Sequence, residues 1–201
     1  MEQFTGKVWV LGDDIDTDII IPTEYLALPS VDDMKKYAFS PLRPELAGQI
    51  QEGDIIVAGK NFGCGSSREQ APEIVKHLGI KCVIAKSFAR IFFRNSINNG
   101  LLLIENEHLY DEITEGDSVS VTMNEKIVAN GKEYDIQPLP DNLMEIIAAG
   151  GLVKAMQKIL NDEEFADYLA GNARKIASEL TPEKTYGAWE QFIMQVIDGD
   201  Q

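Results

Sequence analysis

The sequence predicts an α/β fold built on a parallel sheet, and three observations carry that prediction. Short apolar runs, Asp54–Ala58, Lys81–Ala85 and Leu101–Ile104, alternate with segments of helical period, the pattern of successive βαβ units with parallel strands. The two helical segments end on Gly79 and Gly100, residues suited to the left-handed backbone past a helix end. Beyond residue 115 the texture changes. Ser118–Met123 alternates and Lys126–Asp135 is broken by Asn130-Gly131, a hairpin signal, so this part reads as antiparallel β.

In chain order, a first strand covers Lys7–Leu11. The stretch Gly12–Pro22 then places Asp13, Asp14, Asp16 and Asp18 within six positions, flanked by Gly and Pro, which marks a loop. It lacks the central glycine and closing glutamate of an EF-hand. Asp13, Asp14 and Asp16 fit either turn chemistry or a functional site. Thr17-Asp18, set directly before the apolar run Ile19–Ile21, is harder to explain as a turn.

Three prolines between Tyr25 and Ala47 exclude one continuous element, leaving a short acidic helix near Asp32–Tyr37 in a long irregular segment. A connection of that length is the best candidate for a mobile lid or a substrate-reading loop. Further on, Ser87 is the expected N-cap of a helix running through Phe88, Ile91, Phe92 and Ile97 to Gly100, with Arg90 and Arg94 four residues apart on it. Asn142–Ile147 and Leu152–Leu160 read as short helices around Gly150-Gly151. Two amphipathic patterns close the chain. One spans Glu163–Leu180; the other follows Thr181-Pro182-Glu183 and presents Trp189, Phe192, Ile193, Val196 and Ile197. The division expected is a domain over 1–160 and a helical C-terminal extension over 161–201.

Composition bounds the function. The 201 residues hold 18 basic and 33 acidic side chains, a formal charge of −15, which argues against nucleic acid or an anionic membrane as partner. No apolar run approaches the roughly 20 residues of a membrane span, and the N-terminus lacks a secretory pattern, so a cytoplasmic location is expected. Cys64 and Cys82, the two cysteines, are too few to ligate an iron–sulfur cluster or a structural zinc and form no disulfide framework. They read as reduced, buried thiols, and no metal site is expected in this chain.

The chemistry concentrates in Lys60–Glu69. The order strand, Gly63-Cys64-Gly65-Ser66-Ser67 turn, helix start aims backbone N–H groups and a positive helix end at one spot, where an anion is expected. A P-loop would need a Gly-Lys-Ser/Thr ending, and a dinucleotide fingerprint a third glycine where Arg68 stands. A nucleophile elbow would need a glycine after the serine. His77 lies on the same helix, roughly 16 Å along it from Ser66 at 1.5 Å per residue, too far for a triad. Two readings stay open for Ser66 and Ser67. They cap a buried helix, or Ser66 is a general base whose alkoxide is stabilised by N–H groups, a helix end and Arg68.

Three separate motifs, Gly63-x-Gly65-Ser66-Ser67-Arg68-Glu69 after Asp54–Phe62, Ser87-Phe88-Ala89-Arg90-Ile91, and Asp16-Thr17-Asp18-x-Ile20-Ile21-Pro22, stand in the order found in the aconitase family. Over residues 5 to 160 the chain resembles that family's swivel domain, and within it the free-standing small subunits of 3-isopropylmalate dehydratases. The resemblance implies a swivelling β/β/α domain and the dehydration and rehydration of a small hydroxy-dicarboxylic acid, most simply in leucine biosynthesis. It implies a heterodimer with a large subunit that carries a 4Fe–4S cluster, and inactivity of this chain alone. It places Ser66 as the base that removes the proton α to a carboxylate, with Ser67 and Arg68 holding substrate carboxylate. Asp18 and Thr17 match the motif that enters the catalytic site near the cluster. Arg90 matches a family position and is expected to be structural, packing its helix against the glycine turn.

Two departures bear on the substrate. Gln70 stands where many members have histidine, a modest change behind the site. The resemblance also implies substrate contacts at Ala27 and Leu28 of Tyr25-Leu26-Ala27-Leu28, since in isopropylmalate and homoaconitate relatives the residue after Tyr-Leu reads the substituent that distinguishes substrates, often through arginine. Ala27 cannot hold a carboxylate, so an isopropyl or methyl group fits better than the substituent of homoaconitate. The alternatives within the family are a 2,3-dimethylmalate dehydratase and, with less support from Ala27, a homoaconitase; the alternative outside it is a non-catalytic carboxylate sensor.

Overall fold

One strand organises the sheet. In the computed structural model, which describes residues 3–198 (only the backbone for Glu179 and 195–198), β1 spans Gln3–Leu11. Its second half pairs in parallel with β2 (Ile55–Ala58), Val8 opposite Ile55 and Leu11 opposite Ala58. Its first half pairs antiparallel with β5 (Ser118–Thr122), Gln3 opposite Thr122 and Lys7 opposite Ser118. Only the parallel half is buried enough to read as a strand from sequence, which is why the expected strand began at Lys7.

Between β1 and β2 lie three one-turn helices, α1 (Thr17–Ile20), α2 (Val31–Met34) and α3 (Leu46–Gln49), with 3-10 turns at Thr23–Ala27 and Lys35–Tyr37. Then follow α4 (Gln70–His77), β3 (Cys82–Ala85), α5 (Arg90–Asn99), β4 (Leu102–Glu105) and α6 (Leu109–Glu112). After β5 come β6 (Lys126–Ala129), β7 (Lys132–Asp135), α7 (Asp141–Ala149) and α8 (Leu152–Asn161). The sheet order is β4-β3-β2-β1-β5-β6-β7. The β2–β3 and β3–β4 pairs are parallel, as the βαβ pattern requires. The β6–β7 hairpin turns on Asn130 (φ 51°) and Gly131 (φ 77°), both in the left-handed region that such two-residue loops demand.

Every residue of β2 and β3 is buried, because layers cover both faces of the sheet. Ile56, Ala58, Val83 and Ala85 face a core with Ile20, Phe39, Leu46, Ile74 and Val75. Ile55, Val57 and Ile84 face the opposite core with Leu109, Val119, Ile127 and Ile147. The segment between Tyr25 and Ala47, read as a candidate mobile lid, is anchored at its centre: Ala38, Phe39 and Leu46 are wholly buried. Exposed positions lie on both sides of that anchor, among them Ala27, Tyr37 and Leu42. Nothing in the sequence marks Phe39 as a core anchor, since the residues around it, Tyr37-Ala38-Phe39-Ser40-Pro41-Leu42, follow neither a helical nor a strand period.

Two helices also start later than their sequence signals indicate. The first begins at Gln70 rather than Arg68, and the second at Arg90, with Ala89 rather than Ser87 at its N-cap. Gly79 (φ 97°) and Gly100 (φ 72°) follow the two helices as expected.

The chain divides into two units, Met1–Ala155 and Met156–Gln201, so the division falls inside α8. The second unit contains α9 (Glu163–Glu179), capped by Asp162 Oδ1 accepting from the Phe165 N–H at 3.0 Å, and α10 (Pro182–Asp198). Trp189, Phe192 and Ile193 are exposed on α10, while the side chains of Val196 and Ile197 lie outside the described residues. Among the described residues no helix is long and apolar enough to cross a membrane.

Candidate active site

The site is assembled at the carboxyl ends of β1, β2 and β3, where the loops leaving three parallel strands meet. The loop after β1 and the glycine turn after β2 run side by side. Asp14 N–H donates to Lys60 O at 2.8 Å, Gly63 N–H to Ile15 O at 2.7 Å and Thr17 N–H to Cys64 O at 2.8 Å. On its other side the turn is tied to the loop after β3: Phe62 N–H donates to Ser87 O at 3.0 Å, and Asn61 N–H to Ser87 Oγ at 2.9 Å. Ser87 thus holds the turn instead of capping a helix.

Three of the four aspartates serve this scaffold. Asp13 Oδ1 accepts from Lys60 N–H at 2.6 Å, Asp14 Oδ1 from Asn61 Nδ2 at 2.8 Å, and Asp16 Oδ1 from Ile19 N–H at 2.7 Å, capping α1. That is the turn chemistry reading. Gly63 has φ 78° and lies against the Phe92 ring, where a Cβ would collide, so glycine is required by conformation and space alike.

Ser66 is exposed at the end of the turn and is held from beneath. Its N–H donates to Oγ1 of Thr17 at 3.0 Å, and Thr17 is 1% exposed. Thr17, expected in the catalytic group, thus turns its hydroxyl to Ser66 N–H rather than to solvent. Ser67 is also exposed, and its carbonyl accepts from Asn95 Nδ2 at 3.4 Å. Neither serine caps α4, whose N-cap is Glu69 without a side-chain bond. The expected cradle of free N–H groups is smaller than the sequence implied. Those of Lys60, Asn61, Phe62, Gly63 and Ser66 are all used internally, and those of Gly65 and Ser67 lack a partner among the described residues.

Arg68 reaches back over the first loop. Nη1 donates to Ile21 O at 3.0 Å and lies 2.7 Å from Asp18 Oδ1, while Nη2 donates to Thr23 Oγ1 at 2.8 Å. Its side chain is 15% exposed, and Nε and one Nη2 hydrogen remain uncommitted. The fork expected to hold substrate carboxylate is thus part-occupied by this chain's own groups. The hydrogen bond from Arg68, then that from Thr23 at 3.0 Å, holds the Asp18 carboxyl below its ordinary value.

Thr23 opens the 3-10 turn Thr23–Ala27, so the segment expected to read the substrate is tied at its start to Arg68. At about 2 Å per residue, Ala27 lies roughly 8 Å along that turn. Ala27 is exposed, while Leu28 packs against the core with Tyr25, whose ring stacks on Tyr37 at 3.9 Å.

Beside Ser66 an open cleft of about 590 Å³ is lined by Asn61, Gly63, Gly65, Phe88, Ala89, Arg90, Ile91 and Arg94. Arg90 and Arg94 are exposed and make no hydrogen bond or ion pair with the described residues. This corrects the expectation that Arg90 packs its helix against the turn. The four-residue spacing was visible in the sequence; which face of the helix meets the cleft was not.

Among the described residues no three His, Cys, Asp or Glu side chains converge to hold a metal ion. Cys82 is buried in β3 and Cys64 half-buried in the turn, and both are free. Burial pushes both thiols up, helped at Cys64 by Asp16 and Asp14. This donor set does not fit an iron–sulfur cluster.

A family model described as the Aconitase C-terminal domain matches residues 28–109. A 3-isopropylmalate dehydratase small subunit from Lachnospira eligens is 78% identical over 158 residues, 79% of this chain and 96% of the relative. The chain belongs to the 3-isopropylmalate dehydratase small-subunit family. A second such small subunit, from Archaeoglobus fulgidus, is 51% identical over 74% of this chain and 94% of its own length. A crystal structure of 3-isopropylmalate dehydratase (leuD) from Methanocaldococcus jannaschii superposes with a TM-score of 0.74 at 44% identity, over 78% of this chain and 95% of that one. The swivel-type α/β fold of this small subunit is therefore the family's, while about a fifth of its length lies beyond the match to the Lachnospira relative.

Proposed function

We propose that this small subunit supplies the base and one carboxylate clamp of a hydro-lyase site that interconverts 3-isopropylmalate and 2-isopropylmalate. The observation that carries the reading is the placement of Ser66: exposed on a rigid turn, its N–H fixed by buried Thr17, with Arg68 two residues on and a cleft beside it. The Ser66 alkoxide takes the proton from the carbon next to a carboxylate. The C–H electron pair becomes the new C=C bond as hydroxide leaves the neighbouring carbon, taking a proton from an acid on the large subunit to become water and giving that proton back on rehydration. Rehydration with the opposite regiochemistry completes the isomerisation, Ser66 returning the proton.

A proton of this kind is weakly acidic, so the carbanion-like state needs positive potential. Here Arg68 and the free N–H groups of Gly65 and Ser67 supply it. The remaining parts belong to a large subunit, with which the chain forms a heterodimer in the cytoplasm. The 4Fe–4S cluster, for which this chain offers no ligand set, belongs to that partner and supplies Lewis-acid chemistry at the substrate hydroxyl when present. Exposed, uncharged Ala27 supports an apolar substituent on the substrate, isopropyl before the methyl groups of a dimethylmalate.

The test is Ser66→Ala in the assembled complex. It is expected to lower kcat by about 10²–10⁴-fold, the usual range for losing a general base, with KM little changed. Full activity in an assembled Ser66→Ala complex sinks the base assignment, and a substrate panel on the native complex decides among the malates.

A further inference from the structure

Arg43 and Arg68, two of the four arginines in Met1–Ala155, are neutralised within the chain. Arg43 grips Glu115 with both ends of its fork, at 2.6 and 3.0 Å, and Arg68 is paired with Asp18. Arg90 and Arg94 have no such partner among the described residues, although acidic side chains outnumber basic ones by 33 to 18. Both stand in the first two turns of α5, the end of a helix where its dipole disfavours a cation. Folding therefore gains nothing from their charge at these positions, and the uncompensated pair lines the same cleft as Ser66.

We propose that Arg90 and Arg94 form the seat for the second carboxylate of the substrate, the one not held by Arg68. Residues four apart on a helix place their Cβ atoms about 5–6 Å from each other, so two guanidinium groups converge on one carboxylate from adjacent turns. The cleft also contains the glycine turn at 63 and 65, and its volume of about 590 Å³ suits a small dicarboxylate. The ligand class is thus a dicarboxylate spanning Ser66, its reacting carbon over the serine and its far carboxylate on α5. This seat rests on the assignment of the chain to a dehydratase site, and adds to it the residues that set substrate affinity and orientation.

The experiment is steady-state kinetics of the assembled complex with Arg90→Gln, Arg94→Gln and the two lysine variants. Each glutamine variant is expected to raise KM for 3-isopropylmalate roughly tenfold or more, the loss of one charge-assisted hydrogen bond, with kcat changed far less. Lysine recovers part of the loss, since it keeps the charge without the fork. A monoester of the substrate lacking the far carboxylate is expected to show the same KM with native and variant complexes. An unchanged KM for the diacid overturns the seat, as does an equal loss for diacid and monoester. So does weaker association with the large subunit by sedimentation at unchanged KM, which assigns the arginines to subunit docking. Should Ser66→Ala remain active while the arginine variants raise KM, the base assignment falls and the seat stands.

Discussion

Asp18 Oδ1 and Arg68 Nη1 meet at 2.7 Å, joining the loop after β1 to the glycine turn after β2 across 50 residues of sequence. The pair sets the direction in which the Arg68 fork points. Because the folded-state pKa of Asp18 is lowered from 3.8, its contribution is complete above that value and is lost only as pH falls through the lower, folded-state value. No limb of a pH–activity profile near neutrality is expected from it. Carbon-detected NMR titration should place the Asp18 carboxyl below 3.8 in the native chain and return it upward in Arg68→Gln; a value unchanged by that substitution refutes the pairing.

Thr17 tests whether positioning matters apart from chemistry. Thr17→Val keeps the shape but leaves the Ser66 N–H without its acceptor. Stability should fall by about 1–2 kcal/mol in chemical denaturation, the cost of an unpaired polar group, and kcat should fall with the loss of serine placement. Thr17→Ser retains the hydroxyl and should restore most of both. Equal activity in the valine variant would remove Thr17 from the site.

Ala27 offers a gain-of-specificity test. Ala27→Arg adds a carboxylate-binding fork to an exposed position of the turn anchored at Thr23. The assembled variant should lose activity on 3-isopropylmalate and gain on a malate whose substituent ends in a carboxylate. Because Ala27 is exposed, thermal stability should not change, which separates a change in recognition from a folding defect. An unaltered substrate ratio would show that the substituent is read elsewhere.

The legible part of this protein is the part written locally. The short apolar runs of β2, β3 and β4, the glycines after α4 and α5, and Asn130-Gly131 each specify their own backbone, and the structure contains all of them. The Gly63–Arg68 turn was legible for the same reason: its glycines and its strand-to-helix context lie within one short stretch. By contrast, β1 extends to Gln3 only because β5 is there to pair with it, and Phe39 is a core residue only because other elements close around it. A chain read in order has no access to such partners.

The sequence by itself determined that an exposed serine would sit beside an arginine at the mouth of a glycine turn. Tertiary structure decided what that turn rests on and what it faces. Thr17 lies 49 residues from Ser66 and is pressed beneath it, Arg68 spends part of its fork on Asp18 and Thr23, and Arg90 turns outward into the cleft. The reason is physical. Backbone conformation follows from neighbours in sequence, whereas the direction and burial of a side chain follow from whatever the folded chain brings against it.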